Sequence, residues 1–488
     1  MNLKPTIGLE IHIELNTASK MFCSCKNDSD ETTANKNVCP VCMGHPGTLP
    51  VTNKEAIKKL VKTALALNCE VNKESFFERK NYFYPDLSKG YQISQYSVPL
   101  SEKGYLELPQ EGKKIRITRI HMEEDTGSLV HPDGSDYSLV NFNRSSVPLM
   151  ELVTEPDFTT ANEVKEFVKE LQLILKYLDV SKANMEKGEM RCEVNISLAP
   201  KEAKELGTKV EIKNLNSITV AGLAVEYEVK RQSEILEKGE KVIQETRGWH
   251  DAKKATFSQR HKEQAHDYRY FPEPDLPKIN LSDEFIEETK NSLGELPSGK
   301  RERFKKEYGL SENDVETFIT KKDLSFFFEN AVSELGEWVG AEKGEELKQA
   351  ETKKLAKIAS NYLINDVLGR EDKEVNLKFS PENFAELVKK IYLNEISSKI
   401  AKMVLEKMIQ TGNDPSHIIR DEGLAQILDT KEIEVVANDV IKNNPKPVED
   451  YKKGKQASLQ FLIGQMMGKT KGKVSPEIAK EVLIKLLS

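Results

Sequence analysis

Apolar residues occupy every second position from Ile7 to Leu15, so Ile7, Leu9, Ile11, Ile13 and Leu15 share one face of a predicted strand. Glu10, His12 and Glu14 share the other. The same alternation recurs at Met190 to Ile196, which sets Glu193 beside Asn195, and at Val210 to Lys213, which carries Glu211 and Lys213. Two more acidic sites interrupt apolar surroundings, at Met122-Glu123-Glu124-Asp125 and Leu149-Met150-Glu151-Leu152. The period changes to that of a helix at Val164, Phe167, Val168, Leu171, Ile174, Leu175 and Leu178. A second amphipathic helix runs from about Val220 to a stop at Gly239. Turn signals at Asn81 to Pro85, Pro132 to Gly134 and Pro272 to Pro277 separate these elements, and the stretch reads as α+β. From about Leu281 the strand signals fade. Ser311 with Asp314 reads as a capping box, and Ser380-Pro381 as an N-cap followed by a first-turn proline. The run Thr411 to Pro415 then breaks the helical pattern. The predicted organisation is an α+β domain over residues 1–292, a helical domain over 293–410 and a small helical tail over 411–488.

Composition narrows the setting. A chain of 488 residues is long enough for about three domains. It contains no run of roughly 18 apolar residues, and its first residues lack the basic and apolar layout of a secretory signal. A soluble, cytoplasmic protein with no membrane association is expected. The formal net charge of −7 means that any nucleic-acid binding rests on local patches. One such patch lies between Tyr451 and Lys473, where Lys452, Lys453, Lys455, Lys469, Lys471 and Lys473 occur with no Asp or Glu. It reads as a phosphate-contacting surface, or as the solvated end of a helix. The stretch Gly340 to Lys354, rich in Glu and Lys, reads as a solvated helix or loop.

Two candidate chemistries follow. Cys23, Cys25, Cys39 and Cys42 form a C-x-C and C-P-x-C pair, with Pro40 and Gly44 favouring tight turns, and this spacing suits one structural zinc. Cys69 and Cys192 sit in apolar patterns and read as small buried hydrophobes. Carboxylates and one imidazole projected from several strands suit magnesium shared with substrate phosphates, whereas single polar residues on strand faces are often only solvated. Neither G-x-x-x-x-G-K-[ST] nor G-x-G-x-x-G occurs. The run Arg79-Lys80-Asn81-Tyr82 offers charge and an aromatic ring for a phosphate or a terminal adenosine, or else Tyr82 to Tyr84 form a packed turn before Pro85. No activated nucleophile of a glutaminase is evident.

The ordered motifs RKNYFYPD (Arg79 to Asp86), YQISQ (Tyr91 to Gln95), HMEEDTG (His121 to Gly127), VPLMELVTEPD (Val147 to Asp157), MRCEVNIS (Met190 to Ser197), EIKNLNS (Glu211 to Ser217) and DYRYFPEPDLP (Asp267 to Pro277) accompany the opening strand. With YKKGKQASLQFLIGQMM from Tyr451, they resemble the B subunit family of glutamyl/aspartyl-tRNA amidotransferases over essentially the whole chain. The related archaeal E subunit shares these motifs but carries a large insertion for which this chain has no room. The resemblance implies a cradle-shaped α+β domain with an antiparallel sheet, a helical domain and a tRNA-binding tail. It also implies a carbon–nitrogen ligase: ATP and magnesium phosphorylate the side-chain carboxylate of misacylated Glu-tRNA(Gln) or Asp-tRNA(Asn). Ammonia from a partner amidase, the A subunit of a heterotrimer that also holds a small C subunit, then gives the amide. By position Glu10, His12, Glu124 and Glu151 match the metal-binding motifs, and Glu193, Glu211 and Lys213 are further catalytic candidates; where the family often has Asp, this chain has Glu193. The rival reading is a zinc-bearing tRNA adaptor whose acidic face is structural.

Overall fold

The computed structural model describes residues 2–261, 267–343, 348–370, 377–424, 430–470, 473–474 and 476–487. These fall into two compact units, 1–298 and 299–488. The first is α+β and the second helical.

The first unit is built on nine strands: β1 (Leu3–Glu14), β2 (Glu70–Val71), β3 (Ser101–Glu107), β4 (Lys114–Glu124), β5 (Pro148–Thr154), β6 (Met190–Pro200), β7 (Val210–Leu215), β8 (Glu245–His250) and β9 (Ala255–His261). Their order in the sheet is β9-β8-β7-β6-β1-β5-β4-β3-β2, so the first strand of the chain ends at the centre. All neighbours are antiparallel except β7 and β8. Alternation along β1 sends Ile7, Leu9, Ile11 and Ile13 into a core shared with Leu60 and Val61 of α1 (Lys54–Ala66), Phe167 and Leu171 of α2 (Ala161–Tyr177) and Val225 of α3 (Ile218–Glu237). Burying that face fixes the phase of the strand, because a slip of one residue would drive Glu10 and His12 into the core.

Local chemistry sets the helix ends. Thr160 and Glu163 form a reciprocal capping box at the start of α2, and Ser217 caps α3. Gly222 lets α3 approach α2: a Cβ there would lie 2.6 Å from Cδ of Lys165. A short ribbon crosses the polar side of the sheet, with Glu78–Asn81 pairing both Tyr91–Ser94 and Phe271–Pro272.

In the second unit Ser311 accepts from the backbone N–H of Asp314, and Ser380 precedes Pro381 as a cap. Gly412, in the left-handed region at φ 77°, ends one helix and Asp414 caps the next, which is the physical content of the break seen in the sequence. The last helices, Thr430–Asn443, Gln456–Lys469 and Pro476–Leu487, share a core that includes Ala437, Val440, Leu459, Leu462, Met466 and Leu483. Residues 344–347 of the Glu- and Lys-rich stretch lie outside the described residues. Among the described residues no helix is long and apolar enough to cross a membrane.

Candidate active site

Strand register assembles the site. His12 on β1 stands opposite Glu151 on β5, which stands opposite His121 on β4, while Arg191 on β6 faces His12 from the other side. One rung therefore carries Arg191, His12, Glu151 and His121 across four strands. Glu10, two residues back on β1, faces Glu193. The Nε2 atom of His12 lies 3.4 Å from Glu151 Oε2, 3.4 Å from Glu123 Oε1 and 4.0 Å from Glu10 Oε1. His121 Nε2 is also 3.4 Å from Glu151. These groups floor a cavity of about 830 Å³, which Lys80, Tyr82, Glu211 and Lys213 also line.

The electrostatics are those of a site with too many carboxylates. Burial, then the charges of Glu151 and Glu193, push Glu10 up to about 7. Burial alone would lower His12, but its bond to Glu151 and the charges of Glu151, Glu123 and Glu193 raise it to about 9. Burial opposes ionisation of Glu151 too, and His121 and His12 overcome it, holding the carboxyl well below the usual range. Lys80, despite burial, is raised by Glu123 and Glu151. Two overlapping trios, Glu10 with His12 and Glu151 and His121 with Glu123 and Glu151, each bring their ligand atoms within 4.8 Å of one another, a donor set that fits a hard divalent cation.

Glu124 is not part of this cluster. Its carboxylate turns to the other side of β4, 2.6 Å from Lys89 Nζ, and accepts from the backbone N–H of Ile93 at 3.0 Å. Glu123 takes the place expected for it. The signal was the alternation itself: Ile120 and Met122 lie in the core, so His121 and Glu123 must share the polar face. In the sequence Glu123 stands out only as part of the acidic run Met122 to Asp125, and His121 only within the motif HMEEDTG.

Glu193 and Glu211 flank Lys213, whose Nζ lies 2.8 Å and 3.6 Å from them. In the run Arg79 to Tyr82 alternation again divides the residues. Lys80 and Tyr82 line the cavity, whereas Arg79 pairs with Glu273 at 2.7 Å and Asn81 donates to the carbonyls of Tyr268 and Arg269 at 3.2 Å and 2.9 Å. Arg79 and Asn81 thus pin the ribbon, unlike the phosphate contacts expected of them. Beside the floor, Asp125 is held far below its usual range by Arg191 and Arg144 in spite of burial.

Away from the cavity floor, Cys23, Cys25, Cys39 and Cys42 bring their sulfurs within 4.8 Å of one another. A tetrahedral ion with metal–sulfur bonds of about 2.3 Å needs sulfurs roughly 3.8 Å apart. Cys39 and Cys42 are 3.9 Å apart. Hydrogen bonding from Cys23 is the main influence lowering Cys42, which falls to about 5 with help from the Cys39 N–H and from Lys20. Lys20 is fully buried, and its Nζ lies 3.7 Å from Cys42 Sγ. Cys69 and Cys192 are buried in the apolar core, as their patterns required.

Of the tail lysines, Lys452, Lys453, Lys455 and Lys469 are exposed and Lys473 is half-buried; Lys471 lies outside the described residues. Acids from beyond the Tyr451 to Lys473 window reach three of them. Lys455 meets Asp450 at 3.3 Å, Lys453 meets Glu449 at 4.0 Å, and Lys469 pairs with Asp439. The patch is less bare than its sequence indicated.

Comparison with known proteins decides the family. The sequence profile of the GatB/GatE catalytic domain matches residues 5–287, and that of the GatB domain matches residues 345–487. The B subunit of aspartyl/glutamyl-tRNA(Asn/Gln) amidotransferase from Persephonella marina is 46% identical over 493 residues, covering 100% of both chains. The proteins of that name from Thermotoga maritima and Carboxydothermus hydrogenoformans are 47% and 45% identical. They are covered to 99% and 97% of their lengths, by 100% and 98% of this chain. The chain belongs to the amidotransferase B subunit family. Within the family's catalytic segment fall the whole acidic cavity and all four clustered cysteines.

Proposed function

We propose that the cavity activates the side-chain carboxylate of Glu-tRNA(Gln), Asp-tRNA(Asn) or both by phosphorylation from ATP, for amidation by ammonia from a partner amidase. The observation that carries this reading is the convergence of Glu10, His12, Glu123 and Glu151 in the family's catalytic segment. A free carboxylate is a poor acyl donor. In the reaction a carboxylate oxygen attacks the γ-phosphorus, the bond to the β-phosphate oxygen breaks, and ADP leaves. Ammonia then adds to the acyl carbon, and phosphate departs with that carboxylate oxygen.

Glu10, His12, Glu123 and Glu151 would hold magnesium, which neutralises charge on the transferred phosphoryl group when bound. Lys80, beside Glu123 and Glu151, supplies a fixed positive charge above the same floor. Lys213, held by Glu193 and Glu211, faces Glu10 and orients a negatively charged substrate group. Tyr82, whose hydroxyl donates to Gln92 at 3.2 Å, closes one wall.

The four cysteines hold one structural zinc in this reading, a closed site with no open position for chemistry. The segment after about 410 forms a tail whose Lys452, Lys453, Lys455, Lys469 and Lys473 meet tRNA phosphates; Lys471 belongs to the same sequence window. A B subunit works within a larger assembly. We assign ammonia release to an amidase, the A subunit, braced by a small C subunit in a cytoplasmic heterotrimer. The test is ADP formation by the reconstituted complex. ADP should appear only with misacylated tRNA present and should fall to background with Glu10→Gln or Glu123→Gln. Full ADP formation and amidation by either variant would overturn the assignment.

A further inference from the structure

The first unit buries a lysine with no carboxylate to answer it. Two lysines, Lys20 and Lys300, are fully enclosed among the described residues. Lys300 meets Glu329 at 2.5 Å. Lys20 has no carboxylate within ion-pair distance among the described residues. Its Nζ donates to the carbonyls of Asn37 at 2.7 Å and Phe142 at 3.3 Å, and its third hydrogen bond goes to Cys42 Sγ, 3.7 Å away. An ammonium taken out of water is costly unless a negative charge compensates it, and carbonyl dipoles supply only part of that compensation. Four neutral thiols would add almost nothing. Around a divalent zinc the sulfurs bind as thiolates, and the cluster carries a net charge of two minus. Lys20 is the cation that such a cluster calls for.

Cys42 is the member of the set best placed to use it. Cys42 is buried while Cys23, Cys25 and Cys39 are partly exposed, and its sulfur also accepts from the backbone N–H of Cys39 at 3.1 Å. Two donors thus converge on one sulfur, and hydrogen bonds to an ionised acceptor are the strong ones. Lys20 also stands at the seam between the cysteine loop and the segment before β5. Across that seam the N–H of Phe142 donates to Asn35 Oδ1 at 2.7 Å, and the N–H of Asn37 donates to Asn143 Oδ1 at 3.0 Å. Asn143 Nδ2 in turn donates to the carbonyl of Thr33 at 2.8 Å. The segment runs into β5 at Pro148, three residues before Glu151 of the acidic floor.

We propose that Lys20 is a positioning residue of the cysteine site: through Cys42 its ammonium offsets half the charge of a zinc–thiolate cluster, and through Phe142 it ties the loaded loop to the segment that enters β5. The proposal rests on the reading of the four cysteines as a zinc site. Lys20 takes no part in ligation.

Zinc affinity of the purified full-length chain, measured by competition with a chromophoric chelator, tests this in the wild type, Lys20→Met and Lys20→Arg. Groups that hold a metal ligand in this way contribute about 10- to 100-fold in metal affinity. Lys20→Met keeps the length of the side chain and removes its charge, so it should weaken zinc binding about tenfold or more. Lys20→Arg keeps the charge and should recover part of the loss. Wild-type affinity in Lys20→Met, or equal losses in both variants, would overturn the role of the charge. If Lys20→Met does not fold, amine labelling of the wild-type chain read by mass spectrometry decides. In the zinc-loaded chain Lys20 should be as unreactive as Lys300, and zinc removal should expose Lys20 while Lys300 stays protected. Labelling of Lys20 in the loaded chain at the rate of the exposed Lys26, or no increase on zinc removal, would overturn the proposal. A wild-type chain that takes up no zinc would instead overturn the reading beneath it.

Discussion

At the scale of single residues, the site is decided by which face of a strand a carboxylate occupies. Glu123 and Glu124 are chemically identical neighbours, and one faces His12 while the other meets Lys89. Their substitutions should therefore separate. Glu123→Gln should weaken divalent-metal binding to the isolated chain about tenfold or more, and Glu124→Gln should leave it at the wild-type value; calorimetric titration with manganese measures both, and equal losses would refute the geometry. Protonation makes a second prediction. Glu10 and His12 hold protons up to about 7 and about 9 in the metal-free fold, above their ordinary values of 4.5 and 6.5. Their contribution to stability is thus fully present at low pH, and it is lost as pH rises through 4.5 to 7 for Glu10 and 6.5 to 9 for His12. Metal needs both groups deprotonated, so its affinity should increase over the same range. Titration at pH 6.5 and 8.5 should show tighter binding at the higher value, and a flat profile would contradict these protonation states.

At the scale of elements, alternation made the strands legible and distance hid their pairing. Ile7 to Leu15 announced one buried face because every odd residue is apolar, and the same reasoning recovered the strands at Met190 and Val210. Nothing local says that β1 lies between β5 and β6, whose paired residues are more than a hundred positions away. His121 needed both pieces, the phase of β4 and its place two strands from β1, so it stayed invisible. The cysteine loop was legible because its donors are close in sequence, whereas its anchoring was not. The carbonyl of Cys42 accepts from the hydroxyls of Ser88 and Ser145, each at 2.9 Å, tying the loop to segments that flank the acidic cavity. Removing the zinc proposed for this loop should loosen those ties. Chelation of the purified chain should release close to one zinc per chain, lower the melting temperature and open residues 20–50 to protease; an unchanged melting curve with zinc released would show that the ion is not structural.

At the scale of the whole molecule, the proposed function divides the work, giving the chemistry to the first unit and the holding of a large polyanion to the helical tail. The lysines of the last helices are exposed, and those paired with Asp439, Glu449 and Asp450 form surface ion pairs of the weak kind, about 1 kcal/mol or less, which a phosphate can displace. Each phosphate engaged should add roughly 0.7 to 0.9 to the slope of log affinity against log salt. Deleting the chain after Asp414 should weaken tRNA binding and flatten that slope while the first unit stays folded, and an unchanged slope would remove the tail from the interface.

The central claim is that a carboxylate oxygen passes to phosphate before nitrogen arrives, and an isotope follows that oxygen directly. Misacylated tRNA carrying heavy oxygen in the side-chain carboxylate should be amidated by the complete complex with ATP and glutamine, and the released phosphate analysed by mass spectrometry. Activation by phosphorylation places one labelled oxygen in the inorganic phosphate for each amide formed. Amide formation with unlabelled phosphate would contradict the account.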